Sequence, residues 1–351
     1  MNKLENISYY PEFSDHYGVF KVEDSAVGLR GYIAIHRLND NFASLGATRL
    51  WSYQNDDEAI RDSLRLSKLM SYKSALAGLP YGGAKASLIL PKNGIADRKA
   101  YFKSYAEQVN ELQGKFVTGT DVGVSNEDLD IMKSASKYMI GTGVNSAYYT
   151  AIGVKSCIEV IFEMIFNSKS LRGRKFAVQG VGKTGSELIN LLIKDGVEEI
   201  YISDVDSDKI KKIRNIYPFL KAVDPGEIHK QEVDVFSPSA LSGVLNKDSI
   251  AELKCRAIVG SANNQLSGPE IADILMSKGI YYVPDYLANS GGIVSVVDQY
   301  RYGVAEEKRI RKELEKIPEN LKLVIETSKK LKNSLEKEAL VVAENILNNK
   351  V

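Results

Sequence analysis

The spacing of apolar and polar positions changes near residue 150. Before this point, period-two alternation predicts strands, and apolar positions at helical spacing predict helices between them. We expect strands within 18–53 and at 86–90, helices over about 56–79, 98–113 and 126–136, and a strand that ends at Asp121. Asp56 or Asp57 is the expected cap of the first helix, and Asn126 that of the third.

Beyond residue 150, short apolar runs alternate regularly with helical runs. A long helix is expected to start near Thr150, and five apolar runs from Lys175 onward indicate strands. Strands that alternate with helices predict a parallel sheet with helices on both of its faces. Residues 299–351 have helical spacing and are rich in Lys and Glu, which is typical of solvated helix faces.

Length and composition narrow the class of protein. A chain of 351 residues exceeds one typical core, so two domains are expected. A net charge of +1 gives no electrostatic basis for binding nucleic acid or an acidic membrane. The three histidines share no metal-ligand spacing with each other or with the two cysteines, so we predict no metal site. No apolar run approaches the roughly 20 residues of a membrane helix, and we predict a cytoplasmic protein.

A glycine-rich turn lies between an apolar strand and an amphipathic helix. It reads Gly180-Val181-Gly182-Lys183-Thr184-Gly185. In this context the first glycine permits a tight turn, the second lets the backbone approach a pyrophosphate, and the third allows the helix to pack closely on the strand. The unpaired N–H groups at the start of the helix would face the phosphates. A turn of this kind also occurs in α/β sheets that bind no nucleotide.

Asp204 ends the next strand, close to the expected interval of about 20 residues after the glycines. A carboxylate there accepts hydrogen bonds from a ribose hydroxyl and repels a 2′-phosphate, which favours NAD over NADP. Lys183 and Lys209 lie nearby, so NADP remains open.

Three charged residues lie in apolar surroundings of the first part. Lys73 falls late in an apolar helix, Lys85 follows a Gly-Gly-Ala turn, and Asp121 ends an apolar strand. Burial of an ammonium group lowers its pKa, as a general base or acid near neutral pH requires. The alternative is that both lysines extend to solvent and that the aspartate caps a helix.

Nine colinear segments resemble the glutamate/leucine/phenylalanine/valine dehydrogenase family, in its leucine/phenylalanine branch. The resemblance covers about residues 28–325. Its segments are GATRLWSY (46–53), Tyr72-Lys73, GGAK (82–85), TGTDVG (119–124), TAIGV (150–154), QGVGKTG (179–185), SPSALSG (237–243), GSANNQL (260–266) and PDYLANSGG (284–292).

The resemblance implies an α/β fold of two domains with an active-site cleft between them. Residues 1–148, joined by a C-terminal helix over 326–351, would form the substrate-binding and oligomerisation domain of a homo-oligomer. Residues 149–325 would form the NAD-binding Rossmann domain. Whether the assembly is a dimer or an octamer stays open.

The resemblance also assigns roles to residues. Lys85 and Asp121 resemble the catalytic lysine and its acidic partner. Substrate contacts are implied for Lys73, which would bind the α-carboxylate, and for Leu45, Gly46, Gly119, Thr150 and Asn289. Cofactor contacts are implied for the glycine-rich turn and for Asp204, Ala240, Asn263 and Asn289.

The implied reaction is the reversible, NAD-dependent oxidative deamination of an apolar L-amino acid to its 2-oxo acid and ammonia. Leu45 stands where glutamate-specific members carry a lysine, which disfavours a γ-carboxylate. Gly119 before Thr120-Asp121 resembles the phenylalanine branch, and branched-chain substrates remain open. The alternatives are a dehydrogenase of the same fold for tryptophan or glutamate, and a catalytically silent NAD-binding regulator.

Overall fold

The computed structural model describes residues 1–39, 41–141, 143–240 and 242–349, and these form two compact units. The first unit comprises Met1–Ala75, Leu79–Val144 and the segment from Ala343 onward. The second comprises Leu76–Gly78 and Asn145–Val342. Position 241, within the run 237–243, and positions 350 and 351 lie outside the described residues.

The first unit is built on a mixed six-stranded sheet. Its strands are β1 (Asn2–Lys3), β2 (Gly18–Asp24), β3 (Leu29–Ile35), β4 (Ser44–Trp51), β5 (Gly82–Ile89) and β6 (Phe116–Thr120). Its helices are α1 (Asp56–Leu76), α2 (Arg98–Asn110) and α3 (Asn126–Ala135). The strand order is β1-β2-β3-β5-β4-β6, and the last three run parallel to one another.

The two faces of this sheet bury different helices. Ala84, Ala86 and Leu88 of β5 pack into a core with aromatic residues of α2. On the opposite face α1 lies directly over β5, since a Cβ on Gly83 would come within 2.1 Å of the Ser71 backbone nitrogen. Because side chains alternate across a strand, Lys85 shares the α1 face with Gly83.

The second unit contains a fully parallel six-stranded sheet. Its strands are β7 (Lys175–Gln179), β8 (Glu199–Ser203), β9 (Lys221–Ala222), β10 (Val235–Pro238), β11 (Ala257–Ile258) and β12 (Tyr281–Tyr282), in the order β12-β11-β10-β7-β8-β9. The order reverses at β7, which is where ligands bind at the carboxyl ends of strands in open α/β sheets. The predicted parallel sheet is confirmed.

Helices connect and extend this sheet. They are α4 (Ser146–Phe166), α5 (Lys183–Lys194), α6 (Ser207–Ile216), α7 (Lys247–Glu252), α8 (Glu270–Ser277), α9 (Asp285–Ala288), α10 (Gly291–Tyr302), α11 (Glu307–Leu314), α12 (Lys316–Leu331) and α13 (Leu335–Asn348). No helix of the described residues has the length and apolar character needed to cross a membrane. Within the same residues, no group of three or more His, Cys, Asp or Glu side chains is placed to hold a metal ion.

The C-terminal region differs from the single helix expected over 326–351. It holds two helices, because Lys332 adopts a left-handed conformation with φ of 58° and ends α12. Only the part from Ala343 onward belongs to the first unit. There Tyr72 donates a hydrogen bond to Glu344, with 2.5 Å between the oxygens.

Three helix starts also differ from expectation because other side chains cap them. Asn55, rather than Asp56 or Asp57, accepts a hydrogen bond from the Glu58 backbone. Ser125, rather than Asn126, forms a capping box with Asp128 at the start of α3. Asn145 caps α4, which therefore begins at Ser146, four residues before Thr150.

Candidate active site

A buried lysine and a carboxylate meet on the α1 face of the first sheet. Lys85 of β5 is only 5% exposed, and its Nζ donates to Asp121 Oδ2 across 2.6 Å. Arg49 of β4 donates from Nε to the same oxygen at 2.9 Å. These residues come close because Thr48 pairs with Ala86 on one side and Thr120 on the other, and Lys85, Arg49 and Asp121 are each adjacent in sequence to one of these paired positions. The glycine-glycine-alanine segment before Lys85 belongs to β5 and is not the expected turn.

A second carboxylate extends this cluster. Asp62 of α1 accepts a hydrogen bond from Arg49 Nη1 at 3.1 Å and one from the Tyr53 hydroxyl at 2.6 Å. Arg65 donates to the other Asp62 oxygen at 2.8 Å. Arg49 therefore bridges two carboxylates and, together with Lys85, holds Oδ2 of Asp121 in place.

Burial and charge set the protonation of the central pair. Burial lowers the pKa of the Lys85 ammonium below its ordinary value, although the Asp121 charge opposes this. Burial would raise the pKa of Asp121, but the charges of Lys85 and Arg49 outweigh it and hold the pKa below its ordinary value. Asp121 is thus the stable anion of the cluster, and Lys85 loses its proton more readily than an exposed lysine does.

Lys73 lies in the last turn of α1, which is fixed onto the start of β5. The Gly83 backbone N–H donates to Ser71 Oγ at 2.8 Å. Ser71 Oγ also lies 2.9 Å from His36 Nδ1, and the His36 backbone N–H donates to the Gly83 carbonyl at 2.8 Å. The Lys73 turn and the Lys85 strand are therefore held together by one buried network.

The three residues expected to shape the substrate pocket are packed within the sheet of the first unit. Leu45 is 1% exposed. A Cβ on Gly46 would lie 2.1 Å from the Ala84 carbonyl oxygen, and one on Gly119 would lie 2.8 Å from that of Ile140. Close backbone packing therefore accounts for both glycines, and the substrate contacts of the three residues stay predictions.

The glycine-rich turn of the second unit has a different structural reason for each glycine. Gly180 has φ of +96°, and a Cβ there would meet the Ala240 Cβ at 2.6 Å. A Cβ on Gly185 would lie 1.9 Å from the Gly180 carbonyl oxygen, so α5 can approach β7 only without it. Around Gly182 a Cβ would meet no atom within 4 Å, which leaves room for a ligand beside the backbone.

The start of α5 and the end of β8 face this turn. Gly182 is the N-cap of α5 and offers no side chain to the N–H groups of the first turn, where Lys183 is exposed and Thr184 is half-buried. Asp204 Oδ2 accepts a hydrogen bond from the Val181 backbone at 3.0 Å, and Oδ1 accepts one from the Asp206 backbone at 2.9 Å. Lys209 Nζ lies 3.9 Å from Asp204 Oδ1.

Asn289 follows α9 and is 4% exposed. Its Nδ2 donates to the Ser261 carbonyl at 3.1 Å and to Asn263 Oδ1 at 2.8 Å. Its own Oδ1 is buried and accepts no hydrogen bond. Thr150 donates to the Ser146 carbonyl at 2.8 Å within its own helix.

Buried polar atoms without a partner also mark the carboxyl edge of the second sheet. They are Gln179 Oε1 at the end of β7, Ser203 Oγ at the end of β8 and Ser237 Oγ in β10. Gln179 pairs with Ser203 in register, so these two side chains share one face of the sheet, whereas Ser237 lies on the other face. Buried polar groups are normally hydrogen-bonded, so the Gln179 and Ser203 pair fits a polar ligand. With the open space at Gly182, it forms a cradle suited to a dinucleotide.

Comparison with known proteins agrees with both units. Residues 16–138 match the family model described as Glu/Leu/Phe/Val dehydrogenase, dimerisation domain, and residues 142–350 match that described as Glutamate/Leucine/Phenylalanine/Valine dehydrogenase. The chain belongs to this dehydrogenase family.

Individual relatives cover nearly the whole chain. The leucine dehydrogenase of Geobacillus stearothermophilus is 36% identical over 92% of this chain and 88% of its own length. The phenylalanine dehydrogenase of Bacillus thermotolerans is 35% identical over 88% of this chain and 82% of its own. The crystal structure of L-tryptophan dehydrogenase from Nostoc punctiforme superposes with a TM-score of 0.85 at 33% identity, covering 96% of this chain and 97% of that one.

The protein is therefore an amino acid dehydrogenase that uses a nicotinamide cofactor. The glycine-rich turn, the bare start of α5 and the unpartnered atoms on the sheet edge fit such a group. Sequence reasoning did not find Arg49 or Asp62. Arg49 stands inside the GATRLWSY segment, and its charge within a strand was the available signal.

Proposed function

We propose that this dehydrogenase catalyses the reversible, NAD-dependent oxidative deamination of an apolar L-amino acid. The amino acid, NAD and water give the 2-oxo acid, ammonium, NADH and a proton. The observation that carries the proposal is the buried Lys85 ammonium, whose Nζ lies 2.6 Å from Asp121 Oδ2. A buried lysine beside a fixed anion is the group that proton transfer to and from water and ammonia requires.

Lys73 is proposed to hold the substrate carboxylate. Its turn is tied to the Lys85 strand through Ser71 and Gly83, so a carboxylate bound to Lys73 has a fixed relation to Lys85. Such fixation reduces the entropy cost of bringing the reacting groups together. Asn289 Oδ1, a buried acceptor without a donor, is proposed to take an N–H of the substrate amino group.

Lys85 is proposed to carry the proton in the hydrolytic half of the reaction. A bound nicotinamide cofactor would supply the acceptor for the hydride that leaves the substrate Cα. The neutral Lys85 amine then removes a proton from the water that attacks the imine carbon, and its ammonium form returns a proton to the departing ammonia. Asp121 stays ionised throughout, because Arg49 and Lys85 both stabilise the anion, and it orients Lys85.

Two residues support the finer assignments. Asp204 places a carboxylate 3.0 Å from the Val181 N–H in the glycine-rich turn, where a 2′-phosphate would be repelled, and this supports NAD over NADP. Leu45 supplies no cation for a side-chain carboxylate, which supports an apolar substrate over glutamate.

Tryptophan belongs to the candidate substrates because a structural relative is a tryptophan dehydrogenase. A homo-oligomer in the cytoplasm stays a proposal from the sequence.

A substrate panel tests the proposal. Purified protein would be assayed by NADH absorbance with L-leucine, L-valine, L-phenylalanine, L-tryptophan and L-glutamate, with NAD and NADP, in both directions. We expect turnover with at least one apolar amino acid and NAD, and the reverse reaction with its 2-oxo acid and ammonium. Turnover with glutamate alone would overturn the substrate assignment, and none with any amino acid would overturn the reaction.

A further inference from the structure

The second unit contains a cavity that no part of the proposed reaction uses. It has a volume of about 260 Å³ and lies among α8, β12, α12 and the start of α13. Its walls are mainly apolar and include Met164, Met276, Ile280, Ile325 and Leu335. Small-molecule sites usually span about 300–1,000 Å³, so this volume suits a ligand of amino-acid size and not a nucleotide.

One carboxyl group lines this apolar cavity. Oε2 of Glu336 is buried and makes no hydrogen bond of ordinary geometry, although the Tyr286 hydroxyl acts on this carboxyl as a hydrogen-bond donor. The next residue, Lys337, pairs instead with Asp273, with Nζ 2.6 Å from its carboxylate oxygen. A carboxyl with one such donor in an apolar wall retains hydrogen-bonding capacity for a ligand that enters the cavity.

The charged groups around Glu336 determine whether the cavity favours a cationic or an anionic ligand. Asp285 and Tyr286 of α9 and Tyr282 of β12 face it from the interior, and the exposed Lys329 and Lys332 line the cavity on the solvent side. Burial, and then the negative charge of Asp285, raises the pKa of the Glu336 carboxyl to about 8. An anion beside Glu336 would be repelled by this carboxyl and by the nearby charge of Asp285, whereas a cation there would relieve the repulsion between the two.

We propose that this cavity is a second ligand site of the dehydrogenase, for a small primary amine with an apolar body whose ammonium group donates to the Glu336 carboxyl. The apolar body packs against the methionine and aliphatic walls. The amine can come from two sources, a simple alkylamine or an apolar amino acid whose carboxylate points toward Lys329 and Lys332. The site is independent of the proposed reaction, because none of its lining residues belongs to the Lys85 cluster or to the glycine-rich turn.

Calorimetric titration with three probes that share a 3-methylbutyl unit tests this site. The probes are 3-methylbutylamine, L-leucine and 4-methylpentanoate, each titrated into the full-length protein. We expect the amine to bind with one site per chain and 4-methylpentanoate not to bind. If leucine also binds this cavity, part of its binding will be lost when Glu336 is changed. Leucine binding that persists in that variant belongs to the substrate site.

Two variants and one control locate the binding. Glu336→Gln removes the charge and keeps the shape, and it should weaken amine binding at least about tenfold. Met276→Trp fills the cavity from its partly exposed side and should abolish binding without a buried polar change. Glu326→Gln, on the exposed surface of α12, is the matched control and should bind as the parent does.

The pH dependence gives a second readout. Because only ionised Glu336 attracts the ammonium strongly, affinity should fall about tenfold per pH unit below its pKa of about 8. Equal binding by the parent and Glu336→Gln, or no amine binding by the parent, would overturn the proposal. So would preferential binding of 4-methylpentanoate. Deamination activity, measured without the amine, is decided separately by the substrate panel.

Discussion

Around Lys85 in the first unit, the charged side chains are paired: Lys85 and Arg49 share one oxygen of Asp121, and Arg49 continues to Asp62. At the carboxyl edge of the second sheet, Gln179, Ser203 and Ser237 keep buried polar atoms without partners. The first region sets a protonation state before any ligand arrives. In the second region, the unpartnered polar atoms are available to hydrogen-bond a bound ligand. The proposed catalytic groups and the proposed binding groups thus differ in whether the protein itself satisfies their hydrogen bonds.

Substitution of Lys85 should have the largest effect, because it should lower the rate of catalysis without changing cofactor binding in the second unit. Lys85→Ala should lower kcat by about 10³-fold, because the proton carrier is lost, and leave NADH affinity within about twofold. Steady-state kinetics measures kcat, and fluorescence titration measures the affinity for NADH. Lys92→Ala, an exposed lysine just after β5, is the control and should retain full activity. Retained turnover in Lys85→Ala would remove the proposed role of this residue.

Two alanine substitutions in the glycine-rich turn should have different effects. Gly185→Ala places a methyl 1.9 Å from the Gly180 oxygen, so it should destabilise the fold by roughly 2 kcal/mol and also weaken cofactor binding. Gly182→Ala meets no protein atom within 4 Å, so it should keep the stability and weaken NADH binding on the order of tenfold. Thermal unfolding and NADH titration measure both. Unchanged NADH affinity in Gly182→Ala would contradict the cradle.

Arg49 should control the pH at which the first region works. Arg49→Gln removes a positive charge that lowers the pKa of Lys85, so that pKa should rise. The limb of kcat/KM that depends on neutral Lys85 should then move to higher pH, by about one unit. Arg65→Gln is the control, since the exposed Arg65 donates to Asp62, the outer carboxylate of the cluster. An unchanged pH profile would show that Arg49 does not act through Lys85.

The smallest expected effect concerns acid stability of the first unit. Burial lowers the pKa of His16 to about 4, and its Nδ1 accepts the Ser14 backbone N–H while Nε2 lies 3.0 Å from the Leu64 carbonyl oxygen. Because the folded pKa lies below the unfolded value, this stability is complete above pH 6.5 and is lost as the pH falls through about 4.

Between about pH 6.5 and 5.5 the loss should be about 1 kcal/mol from His16. The difference in unfolding free energy between the parent and His16→Gln, followed over this range, isolates the contribution. A difference independent of pH would contradict it. His229→Gln, in the second unit, serves as the control.

The sequence predicted the parallel sheet and the position of the glycine-rich turn because both depend on local order of residues. Lys85 and Asp121 stood out as charges in apolar runs, and the structure places them in contact. The helix caps were missed by one or more positions because Asn55, Ser125 and Asn145 compete with neighbouring polar residues, and backbone angles decide among them.

Arg49 and Asp62 could not be paired from the sequence. Their contact requires the register of β4 between β5 and β6 and the placement of α1 over that face. Glu336 likewise lies in a helix that has many charged residues, and only packing shows that its carboxyl is buried. Long-range pairing and burial of one residue among similar neighbours are three-dimensional properties that local patterns do not contain.

Asp204 bears on any effort to re-engineer the coenzyme. Its two oxygens accept hydrogen bonds from the Val181 and Asp206 backbones, so the carboxylate that we propose to exclude a 2′-phosphate also holds the turn that we propose for the pyrophosphate. A small apolar replacement would therefore free the pocket and loosen its frame at once. Redesign toward NADP should begin with Asp204→Asn, which removes the charge and keeps one acceptor for the Val181 N–H, before a basic residue is introduced nearby.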